Sequence, residues 1–172
     1  MKETYKSKTN IVTTCWNALG HTKVTLQSMF ETVHHPYFLT IIDNGSHDGT
    51  GEFLKNLEIS PWCEKLILIT NQVNKGIIDA NNQGQAVSNQ YGLEYTCICN
   101  NDLCFQDNWL SILEKHMEDD PDLGIIGTLR PAVDVAHHIR SESSKAVVDG
   151  TPKGYSRTEE LEYFQGAHTF AA

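Results

Sequence analysis

The stretch Cys97-Ile98-Cys99-Asn100-Asn101-Asp102 decides how this chain is organised, because an apolar run stops abruptly on three polar residues. Tyr95 to Cys99 reads as a short buried strand, since small and β-branched apolar residues follow one another without charge. Asn100, Asn101 and Asp102 then fall where that strand leaves its sheet. In open α/β sheets, ligands bind outside the carboxyl ends of the strands. A carboxylate flanked by amide side chains there suits a hard divalent cation completed by water and substrate phosphates. An Asx-type turn before a helix starting near Asp107 is the competing reading of the same residues.

Upstream, Asn10 to Thr14 is a β-branched strand leaving through Cys15-Trp16-Asn17, and Ala18 to Thr32 carries apolar residues at mostly helical spacing. Pro36 restarts the chain. Tyr37 to Ile42 is a nearly all-apolar strand, as expected when both faces of a parallel sheet are covered. It runs into Asp43-Asn44-Gly45-Ser46-His47-Asp48-Gly49-Thr50, where Asn-Gly forces a turn and Ser46 or Asp48 is placed to cap a helix through Leu57. Leu66 to Thr70 is a third strand, leaving through Asn71 to Gly76.

A helix from about Ile77 to Gln90 follows, rich in small and amide residues, a composition expected where the helix start lies under a ligand. Asn108 to Met117 is amphipathic, and Leu123 to Gly127 is a fifth short strand. Pro131 to Thr158 then loses periodicity and reads as a mobile loop or lid carrying His137, His138 and Arg140, before a last segment at His168 to Ala172. The strand–helix alternation predicts a single domain of α/β class, a doubly wound, mostly parallel sheet in a three-layer α/β/α, Rossmann-like arrangement.

Composition narrows the function. Twenty-two acidic against 13 basic residues give a net charge of −9, which excludes nucleic acid or an anionic membrane as the main partner. Met1 to Asn10 is polar with no hydrophobic segment behind it, and no window approaches the ~18 apolar residues of a membrane span. With five cysteines in apolar contexts, the expected compartment is the reducing cytoplasm and the thiols are expected to be free, buried small hydrophobes. Cys97, Cys99 and Cys104 lack the CxxC spacing and the further ligands of a metal cluster.

The exits of strands one to four all carry polar or glycine clusters, and in a parallel sheet they build one crevice. Asp43 and Asp102, each ending a long apolar run, suit the holding of a nucleotide and of a cation on its phosphates. The same residues carry a resemblance. Ile11 to Asn17, the Asp43–Thr50 block, Asn74-Lys75-Gly76 with Ala80, Asn82 and Gly84, and Asn100-Asn101-Asp102 together resemble family 2 glycosyltransferases of the GT-A fold over about residues 8 to 130. Gly166-Ala167 is similar to that family's small-residue turn at the acceptor site.

The resemblance implies transfer of a sugar from a nucleotide-sugar donor to an acceptor (a glycan, lipid-linked sugar or protein) with inversion. On it, Thr14, Cys15, Trp16, Asn17, Asp43, Asn74, Gly76, Asn82, Asn100 and Asn101 would line the donor site, Cys15 and Trp16 beside the base and Asp43 on base or ribose. Asp102, with Asn100 as weaker partner, would hold Mg²⁺ or Mn²⁺ on the diphosphate. The family's general base, a carboxylate well after the Gly-Ala turn, would lie beyond Ala172, making the chain the donor-binding half of a longer enzyme. A non-catalytic nucleotide-sugar-binding module is the alternative. A sugar-1-phosphate nucleotidyltransferase is disfavoured, because strand one exits into Thr-Thr-Cys-Trp-Asn and not into a glycine-rich loop.

Overall fold

The structure is a computed structural model that describes residues 5–127 and, as backbone, 169–171. The elements are β1 (Thr9–Cys15), α1 (Leu19–Thr32), β2 (Tyr37–Asp43), α2 (Thr50–Lys55), β3 (Cys63–Thr70), α3 (Ile77–Tyr91), β4 (Tyr95–Asn100), α4 (Trp109–Asp119), β5 (Ile125–Ile126) and β6 (Thr169–Ala171). They form a six-stranded sheet in the order β3-β2-β1-β4-β6-β5. The first four strands are parallel, and β6 runs antiparallel to both β4 and β5. This is the doubly wound, mostly parallel α/β sheet expected. The segment Pro131–Thr158 and the Gly166-Ala167 turn lie outside the described residues.

Alternation along the strands sorts side chains onto two unlike faces. Ile11, Cys15, Leu39, Ile41, Cys97 and Cys99 face α1, α2 and α4, joining Leu26, Met29, Leu54, Trp109, Leu110 and Leu113 in the main core. The opposite face, under α3, is small and partly polar: Val12, Ile42 and Ala80 are its apolar centre. Buried Asn10 donates to the Gly84 carbonyl and the Ser88 hydroxyl and accepts from Thr40, while Thr96 donates to Ser88. Gly84 lies so close to β1 that a Cβ there would sit 2.2 Å from Val12 Cγ1. The small residues of α3 therefore admit the sheet, where the sequence had suggested room for a ligand.

Three boundaries differ from expectation for identifiable reasons. β3 starts at Cys63 because, at the sheet edge, charged Glu64 and Lys65 are tolerated. Glu64 accepts from the Lys6 and Ser7 amides and the Ser7 hydroxyl. α2 ends at Lys55, closed by three-residue turns from Asn56 to Phe53 and from Leu57 to Leu54. A turn from Leu123 to Asp120 delays β5, leaving it two residues long.

Candidate functional site

Register aligns the carboxyl ends of the four parallel strands. Cys15 stands opposite Asp43, Asp43 opposite Thr70, and Thr14 opposite Asn100. Their exits are cross-braced. The β1 exit takes two consecutive left-handed residues, Asn17 and Ala18. There the Asn17 amide donates to Ser46 Oγ at 2.9 Å and its side chain accepts from the His47 amide at 2.8 Å. Ser46, a candidate helix cap, instead joins two strand exits. Asn44 joins the other pair: its Nδ2 donates to Asn74 Oδ1 and the Gly76 carbonyl, and its Oδ1 accepts from Asn71 Nδ2 and the Lys75 amide.

Asp48 joins two helices. It accepts from the Thr50 hydroxyl and amide at the start of α2 and, at 2.8 Å, from the Leu19 amide at the start of α1. These bonds, the Thr50 hydroxyl first, hold its carboxyl below the ordinary value of 3.8. Because the folded value is the lower one, this contribution is complete above the unfolded value and is lost as pH falls through the folded one. Asp48→Asn is therefore expected to flatten the decline of stability below about pH 4 with nucleotide affinity at neutral pH unchanged. An acid limb identical to the wild type, followed by thermal melting against pH, would contradict this.

The expected site residues divide into exposed and built-in groups. Trp16, the residue after β1, is 55% exposed. Asn82, Asn100 and Asp102 are exposed as well, and Asp102 accepts no hydrogen bond among the described residues. Cys15, by contrast, is wholly buried in the main core. Burial pushes its thiol up to about 12, with the charges of Asp43 and Asp48 adding to the rise, so it is no nucleophile. Thr14 Oγ1 donates to Asn81 on α3. Asn74 Oδ1 is used by Asn44 and by the Gly76 amide. Gly76 has φ +83° with open space around its missing Cβ, and its carbonyl accepts from Asn44 Nδ2. Asp43 is 3% exposed; its Oδ1 accepts from the Ser46 amide at 3.0 Å, and its Oδ2 lies against Gly51.

Sequence reading missed the organising amides Asn44 and Asn71 and a row of hydroxyls on α1 that holds the β4 exit. That row was visible as Thr22, Thr25 and Ser28 at three-residue spacing. Of Cys97, Cys99 and Cys104, expected to be buried, Cys104, past the end of β4, is exposed; all five cysteines are free thiols, as expected.

No three His, Cys, Asp or Glu residues converge as a metal cage among the described residues. The donor set at the β4 exit is nevertheless the one Mg²⁺ or Mn²⁺ takes beside phosphates: one carboxylate, Asp102, and amide oxygens, with other positions left to water and substrate. No described helix is long and apolar enough to cross a membrane.

A mostly parallel sheet flanked by helices on both faces, with its strand exits braced along one edge, defines an α/β domain of GT-A type. The profile of Glycosyl transferase family 2 matches residues 10–171, and the chain belongs to that family. No curated protein sequence matches it. Among solved structures, the mannosyltransferase PcManGT from Pyrobaculum calidifontis, in complex with GDP-Man and Mn²⁺, is similar at 18% identity and TM-score 0.62, over 84% of this chain and 44% of its own. Staphylococcus aureus TarS in complex with UDP-GlcNAc is similar at 13% identity and TM-score 0.59, over 72% of this chain and 35% of its own. The chain thus spans less than half the length of either.

Proposed function

We propose that the chain binds a nucleotide-sugar donor along the carboxyl edge of β1–β4, for transfer of the sugar to an acceptor with inversion. The observation that carries this reading is the convergence of four cross-braced strand exits, with Asp102 left exposed at one of them. Trp16 lies beside the nucleobase, and Asp43 accepts a hydrogen bond from base or ribose. Thr14 and Asn17 contribute the β1 wall, and Asn74, Gly76 and Asn82 the wall at the start of α3, whereas Cys15, expected beside the base, is buried in the main core and does not reach the crevice. Asn100 and Asn101 border the diphosphate. Asp102, with Asn100, would hold Mg²⁺ or Mn²⁺, which would supply Lewis-acid neutralisation of the charge on the departing diphosphate. The similar fold of a GDP-Man and Mn²⁺ complex supports this assignment.

Asp43 tests the nucleoside end of the site. Removing a hydrogen bond to a charged group costs about 1.5–3 kcal/mol, so Asp43→Ala is expected to weaken GDP or UDP binding roughly tenfold or more. Calorimetric titration measures this. Lower stability with unchanged affinity would leave Asp43 only the holding of the Ser46 turn and would overturn its nucleoside role.

A further inference from the structure

The residues after β4 lie along α1 as if on rungs. Asn101 Nδ2 donates to Thr22 Oγ1 at 2.9 Å, the Leu103 amide to Thr25 Oγ1 at 2.9 Å, and the Phe105 amide to Ser28 Oγ at 3.3 Å. The Asn108 amide closes the series on the Thr32 carbonyl at 3.1 Å. The three hydroxyls are three residues apart, the spacing that keeps side chains on one helix face. Thr22 and Thr25 are almost wholly buried. Asp102 falls between the first two rungs, so the chain is fixed immediately before and after it while its own carboxylate stays exposed and accepts no hydrogen bond among the described residues.

We infer that the hydroxyl row of α1 positions Asp102 for its cation, with Thr25 as the principal positioning residue; this rests on the proposed role of Asp102. Coulombic attraction between carboxylate and cation depends steeply on distance at short range. A carboxylate on an untethered turn would spread over many placements, and ordering it would cost entropy on each binding event. Thr25 removes that cost beforehand by accepting the Leu103 amide. Partners that orient a metal ligand typically govern ten- to a hundredfold in metal affinity.

The test is Mn²⁺ titration of the whole chain with GDP and with UDP, followed by the electron paramagnetic resonance of free Mn²⁺, alongside nucleotide affinity in EDTA. Thr25→Val keeps shape and removes the acceptor. It is expected to weaken Mn²⁺ binding roughly tenfold or more while leaving affinity in EDTA unchanged, and Thr25→Ser should restore the wild-type value. Should Thr25→Val fail to fold, Thr25→Ala, which removes the same acceptor, is read in the same way. A folded variant with wild-type Mn²⁺ affinity, beside an Asp102→Ala control that loses Mn²⁺, overturns the positioning role and leaves the site intact. Mn²⁺ affinity retained in Asp102→Ala overturns both. A parallel fall of affinity in EDTA and in Mn²⁺ would make the row purely structural and overturn the inference too.

Discussion

Asp102→Ala is expected to abolish the enhancement of GDP or UDP binding by Mn²⁺ while leaving the melting temperature where it was. The carboxylate is exposed and accepts no hydrogen bond among the described residues, so its loss removes nothing that the fold uses. Substitutions at such positions usually change stability by no more than about 0.5 kcal/mol. On the proposed role, by contrast, the metal contribution rests on this one acid, because Asn100 offers only a neutral amide oxygen. Titrations with Mn²⁺ and with EDTA read the difference directly. A Mn²⁺ enhancement that survives in the variant would move the cation elsewhere.

The second large effect is expected at Gly45, inside the turn that follows β2. Its φ is +81°, and a Cβ built there would meet the main chain of the neighbouring exit, 2.8 Å from Val73 C and 3.0 Å from Asn74 N. A left-handed alanine alone costs roughly 1–2 kcal/mol. A backbone neighbour has no alternative rotamer, so the loop that carries Asn74 and Gly76 must shift. Gly45→Ala is therefore expected to lose more than about 2 kcal/mol in urea unfolding and to lose nucleotide binding with it. Gly49→Ala is the control. It has φ +91° but meets only Leu19 Cδ2 at 3.7 Å, so it bears the conformational cost alone. Equal stability of the two variants would show that close approach of the exits is not what Gly45 provides.

The sheet was legible because each parallel strand is an apolar run ended by a polar cluster, and the observed ends lie within one residue of Thr14, Ile42, Thr70 and Cys99. Where a strand meets the edge, as at Cys63 to Lys65, charge is compatible with pairing and the apolar signal misses its start. The strand exits were legible as polar clusters, not as a division of labour. Asn44, Asn74 and Ser46 looked alike in sequence, and only their bonding shows that they brace the exits. Cys15 ends β1, whose alternation turns it inward, so its neighbour Trp16 presents the exposed surface.

The polar seam between α3 and the sheet works as a reading-frame check on folding. Asn10 uses both amide hydrogens and its oxygen there, and Ser88 is shared by Asn10 and Thr96. A greasy seam would tolerate a helix displaced by one residue at little cost. Here such a slip would turn Ser88 and the Gly84 gap away from their partners and strand several buried polar groups. Each stranded group costs about 1–3 kcal/mol. Misregistered docking of α3 is thereby disfavoured, and the helix that carries Asn81 and Asn82 is held in a single setting against the sheet.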